Sequence, residues 1–508
     1  MSKEVITGQE ARLRIKAGIN KAHNAVKSTL GAVGMRAIIE FKGLDPVECD
    51  DGVTILKNLE FKDPYEQLGL MKLRKGAIRT SEEGGDGTAT TTELTNALVN
   101  EAFKEIGNKS HKIREVRERI EKGLEETITE LKKIKRNVSE EDIERIATIS
   151  SLDSEVAKII ADIIKEVGIN GVVTVEKGSR LGYSKEVVKG VRFNKGLISP
   201  FFINDRDTNS CILNEPLIVL ADRKISTNEQ IIGLLNSIGT GKDILFIADD
   251  VDSVALGTLA QNAVNKIANI ACVRNPYSAS RGKDFLFDLA SITGGTVISE
   301  EMGMKLDTST KELCGRAEKV IVTKDTTTII GGVPSKALES RISSLEKDIE
   351  ESTNVYDKSI LEDRLACLTG GIGVIRVGAY TDTEFNAKKY KFDNAVNSTQ
   401  SALQEGIIIG GGSALAKVSK KIKEPMFKKA LMSPIVQMSI NAGMNPKIGK
   451  GIAKEWSNNG IDFKSKRKVN MFVTGIIDPF KVTRLALESA TAITLDAVSI
   501  DTAIVNNE

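Results

Sequence analysis

The chain has 508 residues, 41% of them hydrophobic, and carries 71 Lys and Arg against 69 Asp and Glu for a formal net charge of +2. At ~100–200 residues per domain this length implies about three domains, and so balanced a charge leaves no broad field to steer a nucleic acid or an anionic membrane surface. Cys49, Cys211, Cys272, Cys314 and Cys367 are scattered without a C-x-x-C pair, and His23 and His111 are the only histidines, so no zinc site is expected and a reducing compartment fits.

The first residues, MSKEVITGQEARLRIK, lack an apolar signal core, and no run of about eighteen apolar residues follows, so the cytoplasm is the expected location. Ile15, Ile19, Ala22, Val26 and Leu30 recur at helical steps and predict a buried face. Thr29-Leu30-Gly31-Ala32-Val33-Gly34 closes that helix with a glycine loop, and Asp50-Asp51-Gly52-Val53-Thr54 sets a carboxylate pair beside a turn. Gly84-Gly85-Asp86-Gly87-Thr88-Ala89-Thr90 then runs straight into a helical pattern. Glycines there let the backbone approach a polyanion, the helix N-terminal amides favour phosphate, and the embedded carboxylate suits Mg²⁺. Taken singly, the Gly84–Thr90 segment reads equally well as ordinary turn and cap chemistry, and each of the other two more often reads as a helix C-cap or a hairpin turn than as a ligand site.

Residues 94–134 predict further amphipathic helices, ending in the basic run Lys132, Lys133, Lys135 and Arg136, which reads as a solvated face. From about 170 to 330, β-branched runs (GVVTV, PLIVLA, ILFIA, VISEE, KVIVTK) alternate with helical patterns, which predicts an α/β domain. Leu338, Ile342, Leu345 and Ile349, continued by Leu361, Leu365 and Leu368 after a polar break at Ser352–Asn354, predict a helical hairpin that packs within the chain. Helix with glycine-rich punctuation returns after Gly370-Gly371, so the two helical ends predict one domain with an α/β insertion between them.

These segments together resemble the group I chaperonins, the GroEL type, over nearly the whole chain. The resemblance is carried by TLGxxGxR at Thr29–Arg36, DGVT at Asp51, GDGTxT at Gly85–Thr90, KGLISPFFIN at Lys195, ADRKIS at Ala221, TGGTVISEE at Thr293, KDTTTIIGG at Lys324, EGIIIGGGSAL at Glu405 and GIIDPFKVTR at Gly475. It implies a multi-domain chaperonin fold. A mostly helical equatorial ATP-binding domain would comprise 1–132 and 405–508, a small α/β intermediate hinge domain 133–188 and 373–404, and an α/β apical polypeptide-binding domain 189–372.

The resemblance also implies roles. Thr29, Leu30, Gly31 and Ala32, with Asp86, Gly87, Thr88, Ala89 and Thr90, would cradle the ATP phosphates, and Asp86 would hold Mg²⁺, with K⁺ a further candidate ion. Gly411, Ile476 and Asp478 would line the nucleotide. Asp51 matches the first of two carboxylates near the terminal phosphate. The second aligns with Asn394, which can orient water but cannot take its proton, so slow turnover is expected; Asp393 is the candidate substitute. Asp50 stands where a lysine is usual, Ala89 where a threonine is, and Asp462, Phe463 and Lys464 replace an Asn-Ala-Ala turn at the base.

Leu197, Phe201, Phe202, Ile232, Leu235 and Leu256 match apolar client-binding positions, and Ala260 and Gln261 replace a valine pair there. Lys195 and Asp382 keep the charges of a contact between ring neighbours, whereas Val436 and Asn445 stand where charged residues usually join two rings. The implied partners are therefore copies of the same chain in a single or double ring, non-native polypeptides and a candidate GroES-type lid, with neither nucleic acid nor membrane. A nucleotide-regulated holdase ring is the alternative, ahead of a structural ring without clients, a TCP-1-type group II member and a metabolic enzyme. The many Lys, Ile and Asn residues suit a fast-evolving lineage such as a phage or an endosymbiont; for a phage the address would be the host cytoplasm.

Overall fold

The computed structural model describes all residues except 1–2, 41–45, 108–109, 152, 169–170, 179–180, 207, 278, 334–335, 352–360, 362–363, 366–367, 449–450, 453–454, 456 and 507–508. The break at Ser352–Asn354 and Cys367 lie outside the described residues, as does the side chain of Asp382. The chain divides into two compact units, Met1–Asp162 with Tyr380–Glu508, and Ile163–Ala379.

The first unit is built from both termini. Lys3–Thr7 pairs antiparallel with Thr502–Asn506, in register from Lys3↔Asn506 to Thr7↔Thr502. The long helices Gly8–Val26, Pro64–Gly84, Thr88–Ile106, Ile113–Ile134 and Phe480–Ser499 pack around two apolar clusters. Ile15, Ile19, Ala22 and Val26 are buried, as their spacing predicts. The second long helix starts cleanly because Asp63 accepts from the amides of Tyr65 and Glu66 with Pro64 in the first turn. The basic run that ends the Ile113–Ile134 helix is exposed, as expected of a solvated face, with some of its members paired. Arg136 pairs with buried Asp142 at 2.8 Å, and Lys135 bonds the Glu405 carbonyl at 3.2 Å.

The second unit holds, among the described residues, a ten-stranded mixed sheet. Leu217–Ile225, Asp243–Val251 and Asn269–Arg274 are parallel neighbours, with the helices Glu229–Ile238 and Ser253–Val264 as crossovers. Both faces of these strands are covered, which is why their sequences are nearly continuous apolar runs. Ile218 and Leu220 enter one cluster with Leu286 and Leu289, while Val219 and Ala221 enter another with Ile231, Leu234 and Leu259. On the other side, Gly315–Val322, Thr327–Gly332, Tyr183–Phe193 and Gly371–Val377 extend the sheet antiparallel. Leu338, Leu345 and Leu368 are buried in the first of these clusters, so the helical hairpin packs within the chain.

Candidate functional site

The glycine loop Gly84–Gly87 joins two long helices of the first unit. Gly85 has φ +85°, and a Cβ there would lie 2.4 Å from that of Asn397, so only glycine allows the Asp382–Glu405 helix to come this close. Gly87 precedes the Thr88–Ile106 helix, and no side chain caps its first amides. Thr88, Ala89 and Thr90 therefore present free backbone N–H groups at the positive end of a 19-residue helix. Asp86 bends back to accept from the Gly87 amide at 2.5 Å.

The other sequence-predicted segments converge on this helix end. A Cβ on Gly52 would meet the Thr88 side chain at 3.1 Å, which places the Asp51 turn beside it. Leu30 is buried with Ile435, Met438 and Phe463, and Ala89 packs against the same cluster. Asn441 pins the Thr29–Ala32 loop by donating to the carbonyls of Lys27 and Leu30, both at 2.9 Å. Gly31 and Ala32 are exposed at its tip, with Thr29 half-buried.

Ile407–Ile409 pairs with Ile477–Pro479, aligning Ile408 with Asp478, and the Gly410 amide donates to the Ile476 carbonyl. A Cβ at Gly410 would press within 2.9 Å of Asp478 Oδ1, so the backbone and this carboxylate share one cradle. Gly411 follows, with Phe463 close by; Phe463 is 4% exposed and belongs to the core. Asp462 folds back on its own turn, accepting from the Lys464 amide at 2.9 Å and from Ser465 Oγ at 2.6 Å, while the side chain of Lys464 is exposed. Lys417, buried, bonds the carbonyls of Ser457 and Asn459 and so fastens the start of this hairpin.

Asp51 caps the Gly52–Asn58 helix, accepting from Val53 N at 3.1 Å and Thr54 N at 2.6 Å. Its Oδ1 also accepts from Tyr390 Oη at 2.7 Å. Asn394 faces the same phenol from one helical turn away. Asp393 turns to Lys389 instead, 3.6 Å away on its own helix, and Asp50 is exposed. Sequence reasoning missed Tyr390, Asn441 and Lys417. Tyr390 alone carried a usable signal, its i, i+4 spacing from Asn394.

Carboxylates dominate the electrostatics of the cleft. Asp86 is open on one side and crowded on the others, and this desolvation, with the charge of Asp51, raises its carboxyl. Burial and the charge of Asp86 lift Asp478 to about 7. Burial lifts Asp393 to about 6 against the pull of Lys389. Among the described residues, no Lys, Arg or His forms an ion pair with Asp51, Asp86 or Asp478. Nor do three or more His, Cys, Asp or Glu converge as a ready-made metal cage. A hard cation such as Mg²⁺ fits such a place, since it binds through one or two carboxylates with phosphate oxygens and water supplying the rest. Asp86 would hold it, and the cation would neutralise charge on the phosphates.

In the second unit, Phe201 is 67% and Ile232 47% exposed, and Gln261 is exposed beside them in kind. Leu197, Leu235 and Leu256 are half-buried. Phe202 and Ala260 are buried, contrary to the exposure expected of Phe202. The Pro200–Phe202 turn points one ring outward and the next into the core with Val219 and Leu259. Exposed Val254 and Val264 on the Ser253–Val264 helix are apolar positions the motif reading did not include.

A helical unit closed by both termini, an α/β insertion with its own sheet, and an acidic glycine cleft confined to the helical unit define a chaperonin fold. A model of the TCP-1/cpn60 chaperonin family matches residues 23–508, and the chain belongs to that family. It is similar in structure to the chaperonin gp146 from the bacteriophage EL 2 (Pseudomonas aeruginosa), crystallised in the presence of ATP-BeFx. Against crystal form II the TM-score is 0.71 and against form I 0.65, each at 19% identity with 99% of both chains covered. Among the described residues no helix is long and apolar enough to cross a membrane.

Proposed function

We propose that this chaperonin subunit binds ATP with Mg²⁺ in the first unit and uses it to capture and enclose non-native polypeptides in a ring of its own copies. The observation that carries the reading is the convergence of the free Thr88–Thr90 amides, Asp86, the Thr29–Ala32 loop and the Gly410–Gly411 cradle on one cleft whose acids Asp51, Asp86 and Asp478 have no ion-pair partner among the described residues. A similar chain of known structure was crystallised with an ATP analogue, which supports the same reading. The three-domain division at 1–132 with 405–508, 133–188 with 373–404, and 189–372 belongs to this proposal, as do a separate lid and a cytoplasmic address.

Catalysis rests on placement. The helix amides and glycine loops hold the phosphates, and Asp51 is the acid close enough to Asp86 and Thr88 to take a proton from an attacking water. Asn394 orients without accepting that proton, so turnover is slow. The test is ATP hydrolysis with refolding of a denatured client by the full chain: Asn394→Asp should raise turnover about tenfold or more. A wild-type chain that neither binds nor hydrolyses ATP would sink the reading.

The alternative is a nucleotide-regulated holdase, favoured by Asn394 at the second acid position. Client capture released by ATP binding, without refolding and without turnover, selects it.

A further inference from the structure

Tyr390 belongs to none of the sequence motifs, yet it is the side chain that joins the two halves of the water-activating end. It precedes Asn394 by one helical turn, so both leave the same face of the Asp382–Glu405 helix. Its hydroxyl donates to Asp51 Oδ1 at 2.7 Å, and Asn394 faces the same phenol from one turn further along the helix. Asp51 is thereby gripped from three directions: Val53 N and Tyr390 on Oδ1, and Thr54 N on Oδ2. Burial, with the charges of Asp51 and Asp86, keeps the phenol protonated far above its ordinary range, so it remains a donor.

We propose that Tyr390 is a positioning residue that fixes the orientation of Asp51 from the helix face it shares with Asn394. This rests on the ATP-hydrolysing reading above. In that step the water oxygen forms a bond to the terminal phosphorus and the bond from phosphorus to the bridging oxygen breaks, its electron pair staying on ADP. The water proton passes to the Asp51 carboxylate and from there to solvent. Tyr390 keeps its own proton throughout. A side chain that must swing freely would cost orientation entropy at each turnover, and a fixed one does not.

The experiment uses the full chain and Tyr390→Phe, which keeps the ring and removes the hydroxyl. Turnover is read as kcat and KM for ATP, binding as the affinities for ADP and for ADP with beryllium fluoride, and integrity as the thermal midpoint. The expected result is a kcat lowered about 10–100-fold with KM within about threefold. ADP affinity stays unchanged while the beryllium fluoride complex binds more weakly. Because Tyr390 acts through Asp51, the same change in an Asp51→Asn background should add less than about twofold. A Tyr390→Phe chain with wild-type kcat overturns the inference while leaving the ATPase reading intact. So does one in which ADP affinity, kcat and thermal midpoint fall together, since that marks a purely structural role. A wild-type chain that binds no nucleotide overturns the functional reading, and this inference with it.

Discussion

Asp478 lies within the field of Asp86, and burial together with that negative charge lifts its carboxyl to about 7. The ordinary value is 3.8, so between 3.8 and about 7 the folded chain holds a proton that the unfolded chain has released. Stability of the nucleotide-free protein should therefore fall as the pH rises through that window and level off above it. Asp478→Asn removes the penalty and should stabilise the first unit by about 1–3 kcal/mol at pH 8, with little change at pH 4. Urea unfolding at the two pH values measures it; equal effects at both would refute the coupling.

The same acidic crowding predicts a divalent-cation effect. Mg²⁺ with ADP should raise the thermal midpoint, by an amount equivalent to ~2.7 kcal/mol at a ligand concentration a hundred times Kd. Asp86→Asn should abolish the part that depends on Mg²⁺ and keep the part that ADP alone supplies. A midpoint indifferent to Mg²⁺ in the wild type would exclude Asp86 as its ligand.

His23 Nε2 lies 2.6 Å from Glu93 Oε2, both side chains 8% exposed, and the pair locks the Gly8–Val26 helix to the Thr88–Ile106 helix. Removing either partner leaves the other buried without its hydrogen bond, at a cost of ~1–3 kcal/mol. His23→Ala should lower stability by that amount and, because Glu93 lies five positions beyond Thr88, should also weaken nucleotide binding. Chemical denaturation and ADP titration on one preparation give both numbers.

How far the sequence could be read depended on whether a residue's meaning was local. Gly31, Gly85, Gly87 and Gly411 all have positive φ, a demand that glycine spelling announces by itself, and the β-branched runs from GVVTV to KVIVTK became strands for the same local reason. The acids Asp51, Asp86 and Asp478 were legible through motifs and then found to share one electrostatic field. Asn441 and Lys417 were not, because each acts on a partner far away in the chain, Leu30 and Asn459, and the spacing of Tyr390 from Asn394 marks its helix face but not its distant partner Asp51. Phe201 and Phe202 show a further limit. Identical letters side by side have opposite fates, decided by a single turn of 3₁₀ helix.

Asp288 carries the stability of the helical hairpin in the second unit. Its carboxylate, 6% exposed, accepts from Arg341 Nε and Arg364 Nε, each at 2.7 Å, and from Arg364 Nη2 at 2.9 Å. Asp288→Ala would leave two guanidinium groups without their buried acceptor, with half-exposed Asp284 and the charge of Asp348 as weaker compensation, at a cost of ~3–5 kcal/mol. Limited proteolysis should then cut within 336–370 before any other part of the unit opens. Cleavage spread evenly across the unit would show that the carboxylate does not hold the hairpin.

Phe201 and Phe202 allow client binding to be separated from folding. Phe201 is 67% exposed, and Ile232, Val264 and Gln261 are exposed in the same unit; exposed apolar side chains of this kind can hold unfolded chains without reading their sequence. Phe201→Glu should therefore abolish most capture of a denatured client while changing stability by less than about 0.5 kcal/mol. Phe202→Ala should do the reverse in kind, costing ~3–5 kcal/mol by opening a cavity against Val219 and Leu259. Client capture by light scattering, with urea unfolding of both variants, separates the two. Full capture by Phe201→Glu would move the client surface elsewhere on the unit, and a neutral Phe202→Ala would mean that its ring is not part of the core.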